Sequence, residues 1–240
     1  MLCYDHDVME LVTYELSDGV ATIAMDDGKV NCLSPRMLGE LNEALDRAES
    51  DRATVLLTGR EGRFSAGFDL PLLRAGGEPA RLMVRAGFEL ALRVLSFPTP
   101  VVIGCTGHAV AMGAFLLLSA DVRIGAAGPF RITANEVAIG LTMPRAAVVL
   151  CRQRLTPAAF NLAAVMAEVY TPETAVAAGF LDRMVPAAVV RQAARDAAEW
   201  VSGLDMAAHA ATKLRTRQDV LDALRAAIEA DDGVIRARAS

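Results

Sequence analysis

The stretch Arg63-Phe64-Ser65-Ala66-Gly67-Phe68-Asp69-Leu70 decides how this chain is read. Before it stands Ala53-Thr54-Val55-Leu56-Leu57-Thr58, a short β-branched run stopped by Gly59. That run reads as a buried strand. A long segment of helical pattern follows. The order predicts a strand that ends, a turn at Gly67, and a helix that begins at Phe68 or Asp69. The first N–H groups of such a helix lack intrahelical partners and lie at the positive end of its dipole, where an anion or a developing oxyanion is favoured. Gly67 permits a backbone conformation closed to other residues. The same letters also suit an ordinary strand-to-helix loop capped by Ser65 or Asp69.

Outward from this stretch, the N-terminal side offers two strands. Residues 10–15 alternate polar and apolar, and Val20-Ala21-Thr22-Ile23-Ala24-Met25 follows Ser17-Asp18-Gly19. A tight Asp-Gly turn joins such strands. Residues 26–31 read as a loop. Ser34-Pro35 starts a helix, with Ser as N-cap and Pro in the first turn, and Met37, Leu38, Leu41 and Leu45 recur at helical spacing.

On the C-terminal side, residues 78–97 form a second amphipathic helix marked by Leu82, Ala86, Leu90, Leu92 and Leu95 and ended by Pro98-Thr99-Pro100. Val101-Val102-Ile103-Gly104-Cys105 is a buried strand. Gly107-His108-Ala109-Val110-Ala111-Met112-Gly113 is a second small-residue loop, and residues 114–120 suit a buried helix. Asp121-Val122-Arg123-Ile124 and Phe130-Arg131-Ile132 read as strands. From Arg145 onward the pattern is mainly helical. Thr156-Pro157 and Thr171-Pro172 open helices, 181–185 is a short strand or linker, and 189–201, 205–214 and 219–230 are three further helices. Residues 233–240 are polar and expected to fray. Strand, strand, helix recurs in architecture without a fixed sequence period. Parallel strands with crossover helices imply an α/β core.

Bulk properties exclude several classes. The chain has 240 residues, 53% of them hydrophobic, so one large core is expected. A net charge of −5 argues against broad nucleic-acid binding. Cys3, Cys32, Cys105 and Cys151 are far apart and form no C-x-x-C pair, as in a reduced intracellular protein. The charged start, with Asp5, Asp7 and Glu10, has no signal-peptide core, and the longest uncharged run, 97–120, is broken by prolines and glycines. The expectation is a soluble, cytoplasmic protein with neither membrane nor nucleic-acid partners. There is no G-x-G-x-x-G, Walker lysine loop or G-x-S-x-G, and no His, Asp or Glu spacing for a metal. Of His6, His108 and His209, only His108 lies in a loop suited to catalysis, and a structural hydrogen bond fits it better.

What remains is a pair of similar loops, at Ala66-Gly67-Phe68 and Ala111-Met112-Gly113. If they converge, two backbone N–H groups can hold one oxyanion, each donor contributing about 3–4 kcal/mol. Such a hole needs an acid or base. Residues 115–118 supply none; the next carboxylate among apolar neighbours is Glu136, before Val137, Ala138 and Ile139. A buried carboxylate has a raised pKa suited to proton transfer near neutral pH. Glu136 also fits a capping or salt-bridged surface residue.

Taken together, these pieces resemble the crotonase (enoyl-CoA hydratase/isomerase) superfamily over nearly the whole chain. The matching segments are Lys29-Val30-Asn31-Cys32-Leu33-Ser34, Phe64-Ser65-Ala66-Gly67-Phe68-Asp69-Leu70, Pro100-Val101-Val102-Ile103 leading to Gly107 with Asp121 closing the segment, Asn135-Glu136-Val137-Ala138-Ile139-Gly140, and Thr174-Ala175-Val176-Ala177-Ala178-Gly179-Phe180-Leu181-Asp182. The resemblance implies an α/β fold with a ββα spiral acyl-CoA-binding core over residues 1–185 and a helical region over 186–240 that trimerises, as a homotrimer or a dimer of trimers. It implies an acyl-CoA thioester substrate, no cofactor beyond the coenzyme A of that substrate, and a place in lipid metabolism. It places the oxyanion donors on the N–H groups of Phe68 and Met112. Lys29, Val30, Ser65, Ala66, Gly67, Asp69 and Leu70 would contact the substrate, and Phe115 and Asn135 the acyl chain.

The departures choose among reactions. Hydratases of this family place glutamates on both sides of a water; the first matches Phe115 here and the second matches Glu136. Loss of the first with Asn135 before the second resembles the Δ3-Δ2-enoyl-CoA isomerase branch. Moving a double bond asks one carboxylate to take a proton from C2 and return it at C4. A hydratase, another reaction of this superfamily or a non-catalytic acyl-CoA binder are the alternatives. Leu141-Thr142-Met143-Pro144-Arg145 lacks glycines common there in hydratases, and Met112 replaces a usual glycine. Lys29, Arg63, Arg74, Lys213 and Arg215 are candidates for the CoA phosphates.

Overall fold

The structure, a computed structural model, describes residues 10–239, with side chains through Asp232. The expectations for Cys3, Asp5, His6 and Asp7, and for the side chains of the C-terminal tail, fall outside it.

The chain opens with a hairpin of β1 (Val12–Ser17) and β2 (Val20–Met25). Its two-residue turn has φ of 50° at Asp18 and 74° at Gly19, the left-handed pair that matches strand twist. After β3 (Cys32–Leu33), Ser34 caps α1 (Pro35–Ser50) by accepting the Met37 N–H at 3.2 Å. Then come β4 (Thr54–Thr58), β5 (Gly62–Ser65), β6 (Gly67–Phe68), α2 (Leu70–Ala75) and α3 (Gly77–Ser96). The first loop therefore differs from its sequence reading. Phe68 is in a strand paired with β3, and the helix starts only at Leu70, with Asp69 accepting the Leu72 N–H as its cap. In α3, Met83, Gly87, Leu90, Ala91 and Val94 are buried, whereas Leu82 is half exposed.

The next turn is β7 (Val101–Cys105), β8 (Gly107–Val110) and α4 (Met112–Ser119); the next is β9 (Val122–Ala127) and β10 (Ile132–Thr133). Phe130 and Arg131 precede β10 instead of belonging to it. Every residue of α4 is buried, which is why that helix is apolar on all sides. Each buried leucine such as Leu116, Leu117 and Leu118 contributes about 1.5–3 kcal/mol.

The strands sort by position within each turn. First strands join a six-stranded sheet in the order β1-β2-β4-β7-β9 with β11 (Arg183–Pro186) at the edge. Second strands build a small sheet, β10-β8-β5, and β3 pairs with β6. Between these strands, all pairings except β1 with β2 are parallel, and the isolated bridges Arg60–Arg63 and Ile132–Tyr170 are antiparallel. Strand to large sheet, strand to small sheet, helix across: this is a ββα spiral.

After the spiral come α5 (Arg145–Arg154), α6 (Pro157–Met166) and α7 (Pro172–Ala178), the last two capped by Thr156 and Thr171 as their Thr-Pro pairs predict. Beyond β11 lie α8 (Val190–Ser202) and α9 (Met206–Ala239). The two last helices expected from sequence are one. Leu221, Leu224, Ala227 and Ile228 are its buried stripe. The polar stretch that looked like a break, Arg215-Thr216-Arg217-Gln218, holds an anchor. Arg217 donates to the Leu95 carbonyl at 2.8 Å and pairs with Asp121 at 2.7 Å. Lys213, expected as a candidate for phosphate contact, is buried and bonded to Asp121 at 2.7 Å. Burial outweighs the pull of Asp121 and brings its ammonium down to about 8. At the other end, Asp232 pairs with Arg81 of α3, and Asp231 accepts the Ala146 N–H that opens α5 at 3.0 Å.

Asp121 also accepts the Val101 N–H at 2.7 Å, so it joins β7, β9 and α9. Asp121→Ala leaves the buried Lys213 without its counter-charge. The expected cost is about 3–5 kcal/mol, read as a lower urea midpoint with an unchanged slope.

Candidate active site

The small sheet positions the site. β5, β8 and β10 run parallel, with Ser65 opposite Ala109 and Val110 opposite Thr133. Their C-terminal ends therefore release Ala66-Gly67, Ala111-Met112 and Ala134-Asn135-Glu136 on the same side. Open parallel sheets place ligand sites at such ends.

The first two segments touch backbone to backbone. Gly67 has φ of +85°, and a Cβ there would stand 2.9 Å from the Val110 carbonyl oxygen and 3.2 Å from the Met112 nitrogen. A Cβ on Gly113 would meet the Ser65 carbonyl oxygen at 2.6 Å. Ala111 takes a φ of 50°, unusual without glycine, while its N–H is held by the Thr133 carbonyl at 2.9 Å. Met112 is thus the first helical residue of α4, with an N–H that has no intrahelical acceptor. Phe68 lies in β6, ahead of its helix, so the two loops are alike in approach and different in local structure.

A third loop braces the first. Asn31 is fully buried with φ of 53°; its side chain donates to the carbonyls of Met25 at 3.0 Å and Phe64 at 3.2 Å. Ser65 Oγ donates to the Asn31 carbonyl at 2.7 Å and accepts the Gly67 N–H at 3.1 Å. Ala66 N–H reaches the Val30 carbonyl at 3.0 Å. Asp27 folds this loop by accepting N–H groups from Lys29, Asn31 and Cys32. Partial burial pushes its carboxyl up, and those donors together bring it below the ordinary range. Lys29 and Val30 are left exposed beside the first loop. The sequence alone does not mark Asn31 and Asp27 as individual site residues. Their signal was present in Asp26-Asp27-Gly28-Lys29-Val30-Asn31, a turn whose side chains bond their own backbone.

Rings line the interior behind the loops. Phe68 meets Phe88 edge-on at 6.2 Å, and Phe88 stacks on Phe115 at 6.2 Å. Phe115 is 1% exposed, so this point of α4 is apolar wall.

Glu136 leads a short 3-10 turn, Val137–Ile139, closed by the Leu141 N–H on the Glu136 carbonyl at 2.8 Å. Its side chain is buried and not at the surface, 7% exposed, and Oε2 has no partner among the described residues. The neighbouring Asn135 Oδ1 is also buried and unpartnered. Burial raises the Glu136 carboxyl to about 7, partly opposed by its own backbone N–H. On α5, burial pushes the Cys151 thiol up to about 12, with the Glu136 charge adding to it.

Other candidates are accounted for differently. His108 accepts the Arg131 N–H at 3.0 Å and packs edge-on to Phe130. Arg63 bonds the Gly62 carbonyl, while Arg74 and Arg215 are exposed. A cavity of about 400 Å³ lined by Asp121, His209, Lys213 and Arg217 opens at the N-terminal ends of β7 and β9, away from the loops. Among the described residues, no helix is long and apolar enough to cross a membrane.

The spiral is the fold of the crotonase superfamily. A family model described as "Enoyl-CoA hydratase/isomerase" matches residues 15–239, and the chain belongs to that family. A solved structure described as the Mycobacterium tuberculosis enoyl-CoA isomerase superposes with a TM-score of 0.89 at 50% identity, covering 92% of this chain and 96% of that one. Human mitochondrial enoyl-CoA delta isomerase 1 is 31% identical over 80% of this chain and 66% of its own length. A Rhodobacter capsulatus protein named "Probable enoyl-CoA hydratase" is 38% identical over 48% of this chain; the match spans just under half, 46%, of that relative.

The raised Glu136 carboxyl has a consequence for stability. Between 4.5 and about 7 the folded chain keeps a proton that the unfolded chain has released. Its stabilising contribution is therefore complete below 4.5 and lost as pH rises through about 7. Glu136→Gln should stabilise the protein by about 3 kcal/mol at roughly pH 8.5 and by less than about 1 kcal/mol near pH 5. Urea denaturation at the two pH values measures the difference.

Proposed function

We propose that this protein shifts the double bond of a 3-enoyl-CoA thioester to the 2-position. The observation that carries this reading is a buried carboxyl, Glu136, whose Oε2 has no partner among the described residues and whose pKa is about 7, in a site where position 115 is phenylalanine. As carboxylate, Glu136 takes a proton from C2. The electron pair of that C–H bond moves into the thioester carbonyl and forms a dienolate. The N–H groups of Phe68 and Met112 hold the enolate oxygen, each contributing about 3–4 kcal/mol to the transition state. Glu136, now protonated, returns the proton at C4 as the 2,3 double bond forms. The carboxyl ends ionised, and no redox partner or cofactor is consumed. Burial serves this cycle because a group with a pKa near the working pH can both accept and give the proton. Asn135 and Phe115 face the acyl chain, and exposed Lys29 and Arg74 suit the CoA phosphates.

Hydration of a 2-enoyl-CoA is the second reading, favoured by relatives that carry the hydratase name. It asks for one group to activate water and another to protonate carbon, and the ring of Phe115 can do neither.

Both substrates should be offered to one preparation. Conversion of 3-enoyl-CoA is expected to dominate, with kcat/KM rising as pH passes about 7 and Glu136 ionises. Glu136→Gln should lower it by roughly 10²–10⁴-fold. Isomerisation that survives this substitution overturns the proposal, and bound acyl-CoA with no turnover of either substrate points to a non-catalytic binder.

A further inference from the structure

Gly87 lies in the middle of α3 on its buried face and has no positive φ. Its backbone conformation therefore does not require glycine. A glycine inside a helix also costs stability relative to alanine, so helix formation does not favour it. What the position does require is space. A Cβ on Gly87 would stand 2.3 Å from Phe68 Cε1, 2.5 Å from Phe68 Cζ and 3.5 Å from Met112 Cγ. These are the side chains of the two residues whose N–H groups form the proposed oxyanion hole. Phe88, the next residue of α3, meets the Phe68 ring edge-on at 6.2 Å.

We propose that Gly87 is a positioning residue for both oxyanion donors: its bare Cα is a notch in α3 that seats the Phe68 ring beside the Met112 side chain. The inference rests on the acyl-CoA reading given above. β6 is two residues long, so its ladder to β3 holds Phe68 by few bonds. Seating the ring supplies the remaining restraint, and it acts on the direction of the N–H through a rigid side chain. Met112 is fully buried, so its backbone answers to the same packing. A methyl group at 87 would overlap the tip of the Phe68 ring, with Met112 Cγ on the same side and Phe88 edge-on to the ring. The ring must move, and the donor moves with it. Hydrogen bonds to an oxyanion weaken steeply with misalignment. The effect should fall on the transition state, in which the oxygen carries charge, more than on binding of the neutral thioester.

The test compares the same substitution at two helical glycines. Gly39 of α1 has nothing within 4 Å of its Cβ position. Gly39→Ala should therefore leave kcat unchanged. Gly87→Ala should lower kcat by roughly tenfold, less than the 10²–10³-fold loss of an entire donor, with KM within about twofold and an unchanged far-ultraviolet helix signal. If Gly87→Ala does not fold, Phe68→Leu keeps the backbone donor but empties the notch, and should give the same split between kcat and KM.

A readout independent of turnover is the infrared carbonyl stretch of bound butanoyl-CoA labelled with carbon-13 at C1. Donation by the two N–H groups shifts it down in the wild-type protein, and Gly87→Ala should lose much of that shift. A shifted carbonyl in the wild type that is the same in Gly87→Ala, or kcat unchanged in Gly87→Ala or Phe68→Leu, overturns the notch alone. No shift in the wild type overturns the acyl-CoA reading and the notch with it.

Discussion

Contact between two backbones governs this structure. Gly67 backs onto Val110, Ala111 and Met112, and Gly113 backs onto Ser65, at separations that leave no room for a Cβ. Such approach is possible only where side chains are missing and where both segments are held rigidly. The small parallel sheet supplies the rigidity, since β5, β8 and β10 end together. The large sheet fixes that small sheet through the first strands of each turn. The spiral is thus a means of bringing successive strand ends to one place. The strained backbone at Ala111 and the left-handed Asn31 are local costs of that arrangement, offset by the hydrogen bonds around them.

Local chemistry in the sequence was readable where the structure depends on neighbours in the chain. The caps at Ser34, Thr156 and Thr171 and the turn at Asp18-Gly19 each use atoms a few residues apart. What escaped the sequence depends on distant partners. Phe68 reads as a helix start until β3, more than thirty residues earlier in the chain, pairs with it. The stretch 215–218 reads as a helix break because it is polar, yet Arg217 is polar in order to reach Asp121 and Leu95. Lys213 reads as a ligand for phosphate because sequence alone cannot show that it is buried against Asp121. Of the candidate site, the segments were legible and their convergence was not, because convergence is a property of parallel pairing and of close approach at glycine.

Glu136 illustrates how function and stability oppose each other in this fold. A buried carboxyl with an unpartnered oxygen is a defect by the rules of packing. The molecule lowers the cost by letting the group keep its proton to about pH 7. That same response is what the proposed proton transfer asks of it. The surrounding shell is well satisfied in contrast: Asp121, Asp27 and Asn31 all have their polar atoms engaged with neighbouring elements. The unsatisfied atoms Glu136 Oε2 and Asn135 Oδ1 are consecutive in the chain and stand at the end of β10. Ordinary core packing would remove such a pair, and its place at the end of β10 supports the proposed site.

Separation of duties explains why one fold can host different reactions. The proposed donors of the first step are backbone groups, so their chemistry does not depend on what the side chains of Phe68 and Met112 are, only on where they pack. Those side chains are then free to serve packing, against α3 and against each other. The proposed acid–base group is a side chain on a separate segment, so Glu136 can change without altering the backbone contact between the loops. The fold and the abutting loops therefore speak for the thioester, which is common to the family. The phenylalanine at 115 and the glutamate at 136 are what the proposed reaction rests on: the wall of rings there supplies no proton carrier, and a carboxyl near its own pKa is what moving a proton between two carbons of one substrate would need.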